Sequence, residues 1–250
     1  MSNYDYDVTI IGAGPAGLSA GIFTARAELD TLVIEDGKSI LRRNAHLENF
    51  LGFPAGVNSR LLLDMGLDQF ETNGGDYERG KVENVEKGGD ADDAGFVVHT
   101  EGTSIETQYV VVASWADTDY LDGLGVEAET RGSKTFLQPD EKGRTKVEGI
   151  YAAGRIAGEY HQTIVNAGHG ATVGLTVIHD SDVNFYHDWV VPEGYFTGRG
   201  RDVPPGCEEI DEEERLARED ESLEVMQDYF AEPHPEEPVP HPSQADEDDE

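Results

Sequence analysis

The chain has 250 residues, enough for one ordinary domain or two small ones, and carries a net charge of −34 at pH 7. About half of that charge follows residue 207, where 19 acidic residues accompany only two arginines, so the rest of the chain is strongly acidic as well. This balance argues against direct nucleic-acid binding, because phosphates are bound by clusters of lysine and arginine.

The acidic residues are spread along the chain rather than gathered in one run. A body with this charge repels itself at ordinary ionic strength and is best tolerated where concentrated salt screens it. We therefore expect a protein from the cytoplasm of a halophile. An acidic patch that evolved for one basic partner is the alternative.

A single cysteine, Cys207, excludes an internal disulfide and an intrachain dithiol pair. Acidic residues follow it and should raise the pKa of its thiol, so an unreactive thiol is favoured over a mixed disulfide with a partner. The N-terminal segment, MSNYDYD, is unlike a signal peptide, and no apolar run is long enough to span a membrane. We expect a cytoplasmic protein without a membrane partner.

Residues 8–21, VTIIGAGPAGLSAG, predict a buried strand, a glycine turn and the start of a helix. Gly12, Gly14 and Gly17 have the G-x-G-x-x-G spacing, which lets a pyrophosphate approach the backbone at a helix N-terminus. A helix over 16–27 and a buried strand over 31–35 complete a βαβ unit. Glu35 follows Gly12 at about the distance at which an acidic residue meets a ribose hydroxyl, and its charge disfavours the 2′-phosphate of NADP.

The remaining elements are predicted from periodicity and turn residues. An amphipathic helix ending in glycines covers 59–75. Three β-like runs follow, at 76–86, 95–100 and 103–114, and they predict a meander that returns to a buried strand at 109–113. Another buried strand covers 147–154, and a long closing helix covers 162–180.

The composition changes after residue 180. Residues 181–207 are aromatic and rich in turns, and they predict an arm that lies on the body or on a partner. Residues 208–250 form an acidic tail that we expect to be largely disordered. A helix between 209 and 230 is the one regular element that the sequence suggests there.

The order of several motifs resembles the FAD domain of the thioredoxin reductase family, within the two-dinucleotide flavoproteins. The motifs are IIGAGPAGLSAG, LVIE, RRNAHLENFLGFP, QYVVVAS and TKVEGIYAAGRIAGEYHQTIVNAGHG, and they cover roughly residues 5–180. The resemblance implies an α/β fold: a Rossmann-like FAD-binding domain over 1–180, with a central parallel sheet and a β-meander, followed by the acidic C-terminal extension. It also implies that the cofactor is FAD and that the chain is an FAD-dependent oxidoreductase.

The same resemblance implies a set of cofactor contacts. The turn would hold the FAD pyrophosphate, Glu35 the adenosine ribose, and the backbone of Val82 the adenine, while Asn49 would lie near the flavin. The turn residues are Gly12, Ala13, Gly14, Pro15, Ala16 and Gly17. At the ribityl and isoalloxazine end the expected residues are Ala113, Gly154, Arg155, Gln162 and Thr163.

The sequence departs from the family pattern where relatives insert a nicotinamide-binding domain. Only about twenty residues separate ASW, at 113–115, from the segment that leads to the second FAD motif, and they contain neither a second G-x-G-x-x-G nor a C-x-x-C. We therefore expect a domain that has lost the NADPH site and the redox dithiol. Electrons would come from diffusible NAD(P)H or from a redox partner protein.

Two substitutions fall inside the retained domain. Arg155 stands where the family has Asp, and it would either contact the pyrophosphate through two hydrogen bonds or point to solvent. Trp115 replaces a glycine, and it would either cover the flavin or fill the core.

His161 is the one candidate for a catalytic residue, as a proton donor to the reduced flavin, and an ordinary lining residue is the alternative. His161 and His169 lack the spacing of metal ligands, so no metal is expected. Three functions remain open. The first is an oxidoreductase with an external electron donor, and the second is a non-catalytic module that binds a flavin or dinucleotide and engages a partner through its arm and tail. The third is a single-domain NAD-using enzyme that resembles thiazole synthases. Relatives suggest a homodimer.

Overall fold

The computed structural model describes residues 4–37, 39–89 and 95–240. Strand β1, Tyr6–Ile11, leads through the glycine turn into helix α1, Pro15–Arg26, which returns to strand β2, Thr31–Glu35. Pro15 suits the first helical position because it has no N–H to leave unpaired there. β1 and β2 pair in parallel, so the predicted βαβ unit is confirmed.

One sheet of seven strands forms the centre of the molecule. Besides β1 and β2 it contains β3 Asp76–Arg79, β4 Val82–Lys87, β5 Phe96–Thr100, β6 Thr103–Val112 and β9 Ile150–Ala152. The order across the sheet is β3-β2-β1-β6-β5-β4, and β9 also pairs with β6. β6 is antiparallel to β5 at its start and parallel to β1 and β9 at its end. The mostly parallel sheet with a meander confirms the predicted fold class.

The first β-like run, 76–86, was predicted as one strand of the meander, and this detail is wrong. It divides at Gly80 and Lys81 into β3, which extends the parallel sheet beside β2, and β4, which pairs antiparallel with β5. The run divides because the two halves have different neighbours on opposite edges of the same sheet.

Two apolar layers cover the sheet. On one face Val8, Ile10 and Val33 pack against α1, helix α2, Ser59–Thr72, and helix α3, Thr163–Asp180. On the other face Ile11, Leu32, Ile34 and Val112 form one apolar cluster with residues of β4, of β5 and of the segment that follows β6. The alternation along each strand sends successive side chains to opposite layers.

Helices α1 and α3 touch through small residues. A Cβ on Gly170 would lie 2.0 Å from the carbonyl oxygen of Ala16, and one on Gly174 would lie 2.7 Å from that of Ala20. This close contact fixes the start of α3 against the glycine turn.

An antiparallel hairpin, β7 Ala128–Arg131 and β8 Lys134–Leu137, stands between β6 and β9 and was not predicted. Phe136 and Leu137 are buried, whereas β7 is exposed throughout. The hairpin packs beside a short 3₁₀ helix, Gly154–Ala157.

The arm contacts the body. Val183 and Phe185 pack against the apolar layer that includes α1, α2 and α3, and Asp188 forms a salt bridge with Arg26 at 2.6 Å. The arm contains strand β10, Trp189–Pro192, which pairs in parallel with β11, Cys207–Ile210.

The prediction of a largely disordered tail is wrong for residues 208–229. These residues complete β11 and form helix α4, Glu212–Tyr229, close to the helix considered from the sequence. Asp211 caps the helix by accepting the Glu214 N–H at 2.8 Å, and Arg218 forms salt bridges with Glu208 and Glu214, so local pairs offset the repulsion between acidic side chains. Residues 241–250 of the predicted tail lie outside the described residues.

Within the described ranges, no helix is both long enough and apolar enough to cross a membrane.

Candidate functional site

A cavity of about 850 Å³ opens at the carboxyl ends of β1, β2 and β6, where open α/β sheets bind their ligands. Gly12 begins the turn with φ +111°, a conformation that favours glycine. A Cβ on Gly17 would lie 1.8 Å from the Gly12 carbonyl oxygen, so this glycine lets α1 begin directly against the turn.

Twelve of the fourteen predicted cofactor residues lie on the cavity wall, together with His161 and Trp115. The twelve are Gly12, Ala13, Gly14, Pro15, Ala16, Glu35, Asn49, Val82, Ala113, Arg155, Gln162 and Thr163. Gly17 and Gly154 lie behind the wall, where an added Cβ would clash with the Gly12 carbonyl oxygen and with the Ala16 Cβ, respectively. The structure thus brings the predicted residues together around one space, and their individual contacts with FAD stay predictions.

Glu35 ends β2 and is held by two backbone groups. Its carboxylate accepts hydrogen bonds from the N–H of Ala13 at 3.1 Å and of Ser39 at 3.2 Å. Burial raises the pKa of Glu35, although these hydrogen bonds and the charge of Arg42 act in the opposite direction. Each carboxylate oxygen retains accepting capacity that a ribose hydroxyl could use.

Asn49 and Gln162 meet at the other end of the cavity. The Asn49 Nδ2 group donates to Gln162 Oε1 at 2.8 Å, which joins the loop before α2 to the residue that precedes α3. Both side chains belong to the region that the resemblance assigns to the flavin.

Arg155 lies half-buried on the cavity wall, so the alternative that it points to solvent is wrong, and its contact with the pyrophosphate stays a prediction. Its Nη1 donates to the Glu159 carbonyl oxygen at 2.6 Å, and its Cζ lies 4.9 Å from the centre of the Phe136 ring. Its Nε has neither a hydrogen-bond partner nor solvent contact. The guanidinium group is therefore held against the hairpin rather than directed to solvent.

Trp115 is half-buried on the cavity wall and belongs to neither apolar layer, so the core-filling alternative is wrong. Its ring centre lies 4.9 Å from that of His161. Whether Trp115 covers the flavin stays a prediction.

Burial lowers the pKa of His161, and the charges of Arg155 and Lys134 lower it further. The imidazole is consequently neutral near pH 7. A neutral imidazole accepts a proton more readily than it donates one, which weakens the predicted role of His161 as a proton donor.

The residues present fit FAD. The wall combines the backbone of the glycine turn with the polar side chains of Glu35, Asn49 and Gln162. A Cβ added to Gly14 would meet only Ser39 Oγ, at 3.8 Å, so the turn leaves space for a bound group. Arg43 and Lys81 add positive charge to the wall of this acidic protein.

Several wall residues were missed from the sequence. Asn166 donates from Nδ2 to the carbonyl oxygens of Gln162 at 2.6 Å and Tyr160 at 3.0 Å, which fixes the start of α3. Its position one helical turn after Gln162 could have indicated it. Tyr120 hydrogen-bonds with Ser114 at 2.8 Å, and burial raises the pKa of its hydroxyl, but no local pattern marks it.

No three His, Cys, Asp or Glu side chains are placed to hold a metal ion within the part of the chain that the structure describes.

Comparison with family models gives two matches. Residues 7–44 match a family described as an FAD binding domain, and residues 68–171 match the pyridine nucleotide-disulphide oxidoreductases. The first covers the turn and Glu35, and the second covers the strands from β3 to β9 and the start of α3.

Curated relatives include thioredoxin reductases of Listeria monocytogenes and Bacillus subtilis. The first is 35% identical over 127 residues, covering 49% of this chain and 37% of the relative, and the second is 32% identical over 129 residues, covering 51% and 39%. The chain therefore spans less than two fifths of the length of these relatives.

Solved structures agree on the fold. A thioredoxin reductase from Gloeobacter violaceus superposes with a TM-score of 0.62 at 17% identity, covering 70% of this chain and 95% of that chain. The thioredoxin reductase of T. acidophilum gives 0.63 at 15% identity, covering 70% and 98%. The family matches show that the chain binds FAD, and the solved structures show that about 70% of it has the fold found in thioredoxin reductases.

Proposed function

We propose that this chain is a flavoprotein oxidoreductase that receives electrons from an external donor. The observation that carries the proposal is the single cavity that joins the glycine turn to Asn49, Arg155 and Gln162. The segment 113–149 contains only a short 3₁₀ helix and the β7–β8 hairpin, and the sequence has no dithiol. These features favour diffusible NAD(P)H or a redox protein as the donor.

FAD, when bound, supplies the redox chemistry, and the protein supplies position and electrostatics. The turn at the start of α1 offers backbone N–H groups to a pyrophosphate, and Glu35 offers acceptors to a ribose. At the other end Asn49 and Gln162 fix each other, while Trp115 limits access of water. His161, being neutral, can accept a proton at an imidazole nitrogen.

The test is the visible spectrum of the purified protein, followed by anaerobic titration with NADH and NADPH. We expect the flavin absorption bands to bleach when a stoichiometric amount of NADH or NADPH is added. If the flavin bands persist with both nucleotides but bleach when a reduced carrier protein is added, the electron donor is a protein. Absence of flavin, with no uptake of added FAD, would contradict the proposal.

A flavin-binding module without turnover is the second candidate. The exposed aromatic side chains of the arm favour it, since Tyr186 and Trp189 are 67% and 42% exposed and could contact a partner. A protein that holds flavin but is reduced by neither nucleotide nor carrier would support this module.

We also propose that the protein works in a salt-rich cytoplasm and forms a homodimer. We propose that the chain divides into a domain over 1–180, an arm over 181–207 and a tail from 208. The 52 acidic residues against 18 lysines and arginines support the salt requirement. Melting temperatures should be several degrees higher in 2 M than in 0.1 M KCl, and light scattering under the same conditions would give the oligomeric state. Equal melting temperatures would contradict the salt requirement.

A further inference from the structure

Two positively charged side chains share the ring of Trp115 at the cavity. Lys134 Nζ lies 4.6 Å from the ring centre, and the Arg155 Cζ lies 5.9 Å from it. The two come from different elements, because Lys134 begins β8 and Arg155 follows β9. His161 contacts the same ring, so three nitrogen-bearing side chains surround one indole.

This pair lacks the counter-charge that a strongly acidic protein could readily provide. Among the described residues neither Lys134 nor Arg155 forms a salt bridge, whereas their neighbours Arg131, Arg144 and Lys146 all do. The two cations lie near the same ring and repel each other, and a bound anion would reduce that repulsion.

A further observation connects the two cations with His161. The charges of both Arg155 and Lys134 lower the pKa of His161, so both cations act on the same point. An oxyanion beside the Trp115 ring could accept hydrogen bonds from Lys134, from His161 and from the outer guanidinium nitrogens of Arg155.

We propose that Lys134, Arg155 and His161 bind the oxyanion group, a phosphate or a carboxylate, of the small-molecule co-substrate of the flavin. The proposal rests on the proposed function, because it assigns this group to the external electron donor or acceptor. It gives the β7–β8 hairpin a role: the hairpin brings Lys134 to Trp115 on the cavity wall and so selects an anionic co-substrate.

Lys134 provides the sharpest test, because it is not among the predicted FAD contacts. Calorimetry on FAD-loaded protein would measure the affinity for ADP-ribose, which carries phosphate, and for benzoate, which carries a carboxylate. Lys134→Gln should weaken binding of the matching probe about fivefold to tenfold, and Lys134→Arg should restore it. Lys142→Gln, at an exposed lysine away from the cavity, is the matched control and should bind as the wild type does.

Weaker binding of ADP-ribose alone would assign a phosphate, and weaker binding of benzoate alone would assign a carboxylate. Unchanged affinities in Lys134→Gln, or no binding of either probe to the wild type, would overturn the proposal. Lys134 would then only hold the hairpin against Trp115, and a lower melting temperature of Lys134→Gln would reveal that role. The flavin spectrum is read separately, so loss of the proposed function is distinguishable from loss of this site.

Discussion

Gly14 is the turn residue where function and stability can be separated. Its φ of −77° suits any residue, and an added Cβ would meet only Ser39 Oγ at 3.8 Å. We predict that Gly14→Val weakens FAD binding at least about tenfold, because its methyl groups enter the space that the pyrophosphate needs. Flavin absorbance per chain and titration with FAD measure this loss.

The melting temperature of Gly14→Val without flavin should stay close to that of the wild type prepared in the same way. Gly198→Val is the matched control, since an added Cβ there meets nothing within 4 Å and the backbone is not left-handed. A Gly14→Val protein that binds FAD normally would contradict the assignment of the turn.

Gly17, three residues later, should behave in the opposite way. Its added Cβ would lie 1.8 Å from the backbone oxygen of Gly12, which cannot move without shifting the turn. We predict that Gly17→Ala destabilises the fold by about 2 kcal/mol even without flavin. Gly168→Ala, at an open position in α3, should be neutral or stabilising in the same urea unfolding experiment.

At the scale of elements, the βαβ unit and α3 could be predicted because their apolar periodicity is local. The β7–β8 hairpin could not, since β7 is exposed and polar and the hairpin depends on burying Phe136 and Leu137 against distant residues. The site divides in the same way. Glycine spacing predicts the turn, whereas the position of Lys134 beside Trp115 follows only from the tertiary structure.

The end of α3 is joined to the sheet by Asp180. Its carboxylate forms two hydrogen bonds of 2.7 Å with Arg144 and accepts one of 2.9 Å from the Tyr151 hydroxyl. The hydrogen bond with Arg144 is the main cause that holds the pKa of Asp180 below its usual value. The folded state therefore favours the ionised form.

We predict that Asp180→Asn lowers the free energy of unfolding by about 1 kcal/mol near neutral pH, a value already reduced for solvent screening. Because the pKa is lower in the folded than in the unfolded chain, the stability from this group is complete above about pH 5. It should disappear as the pH falls through the folded pKa. Urea unfolding of both proteins from pH 7 to pH 3 checks this, and a difference that grows in acid would contradict the sign.

At the scale of the whole molecule, the chain beyond α4 returns to the segment that borders the cavity. The Val239 N–H donates to the Arg42 carbonyl oxygen at 3.0 Å, and Glu236 forms a salt bridge with the Arg42 side chain at 3.1 Å. His234, whose side chain is 6% exposed, hydrogen-bonds with Asp64 of α2 at 2.8 Å. Arg42 directly precedes Arg43 on the cavity wall, so these contacts hold one side of the site.

Deletion of residues 231–250 should therefore increase the rate of FAD release about threefold to tenfold while α4 and the sheet remain folded. The segment around Arg42 would lose a backbone hydrogen bond and a salt bridge, each of which contributes about 1 kcal/mol or less. Release is measured by the recovery of flavin fluorescence after dilution in high salt. Deletion of 241–250 alone is the control, because it leaves every contact described above in place. Equal rates of FAD release from the two truncated proteins would show that residues 231–240 do not hold the cavity wall.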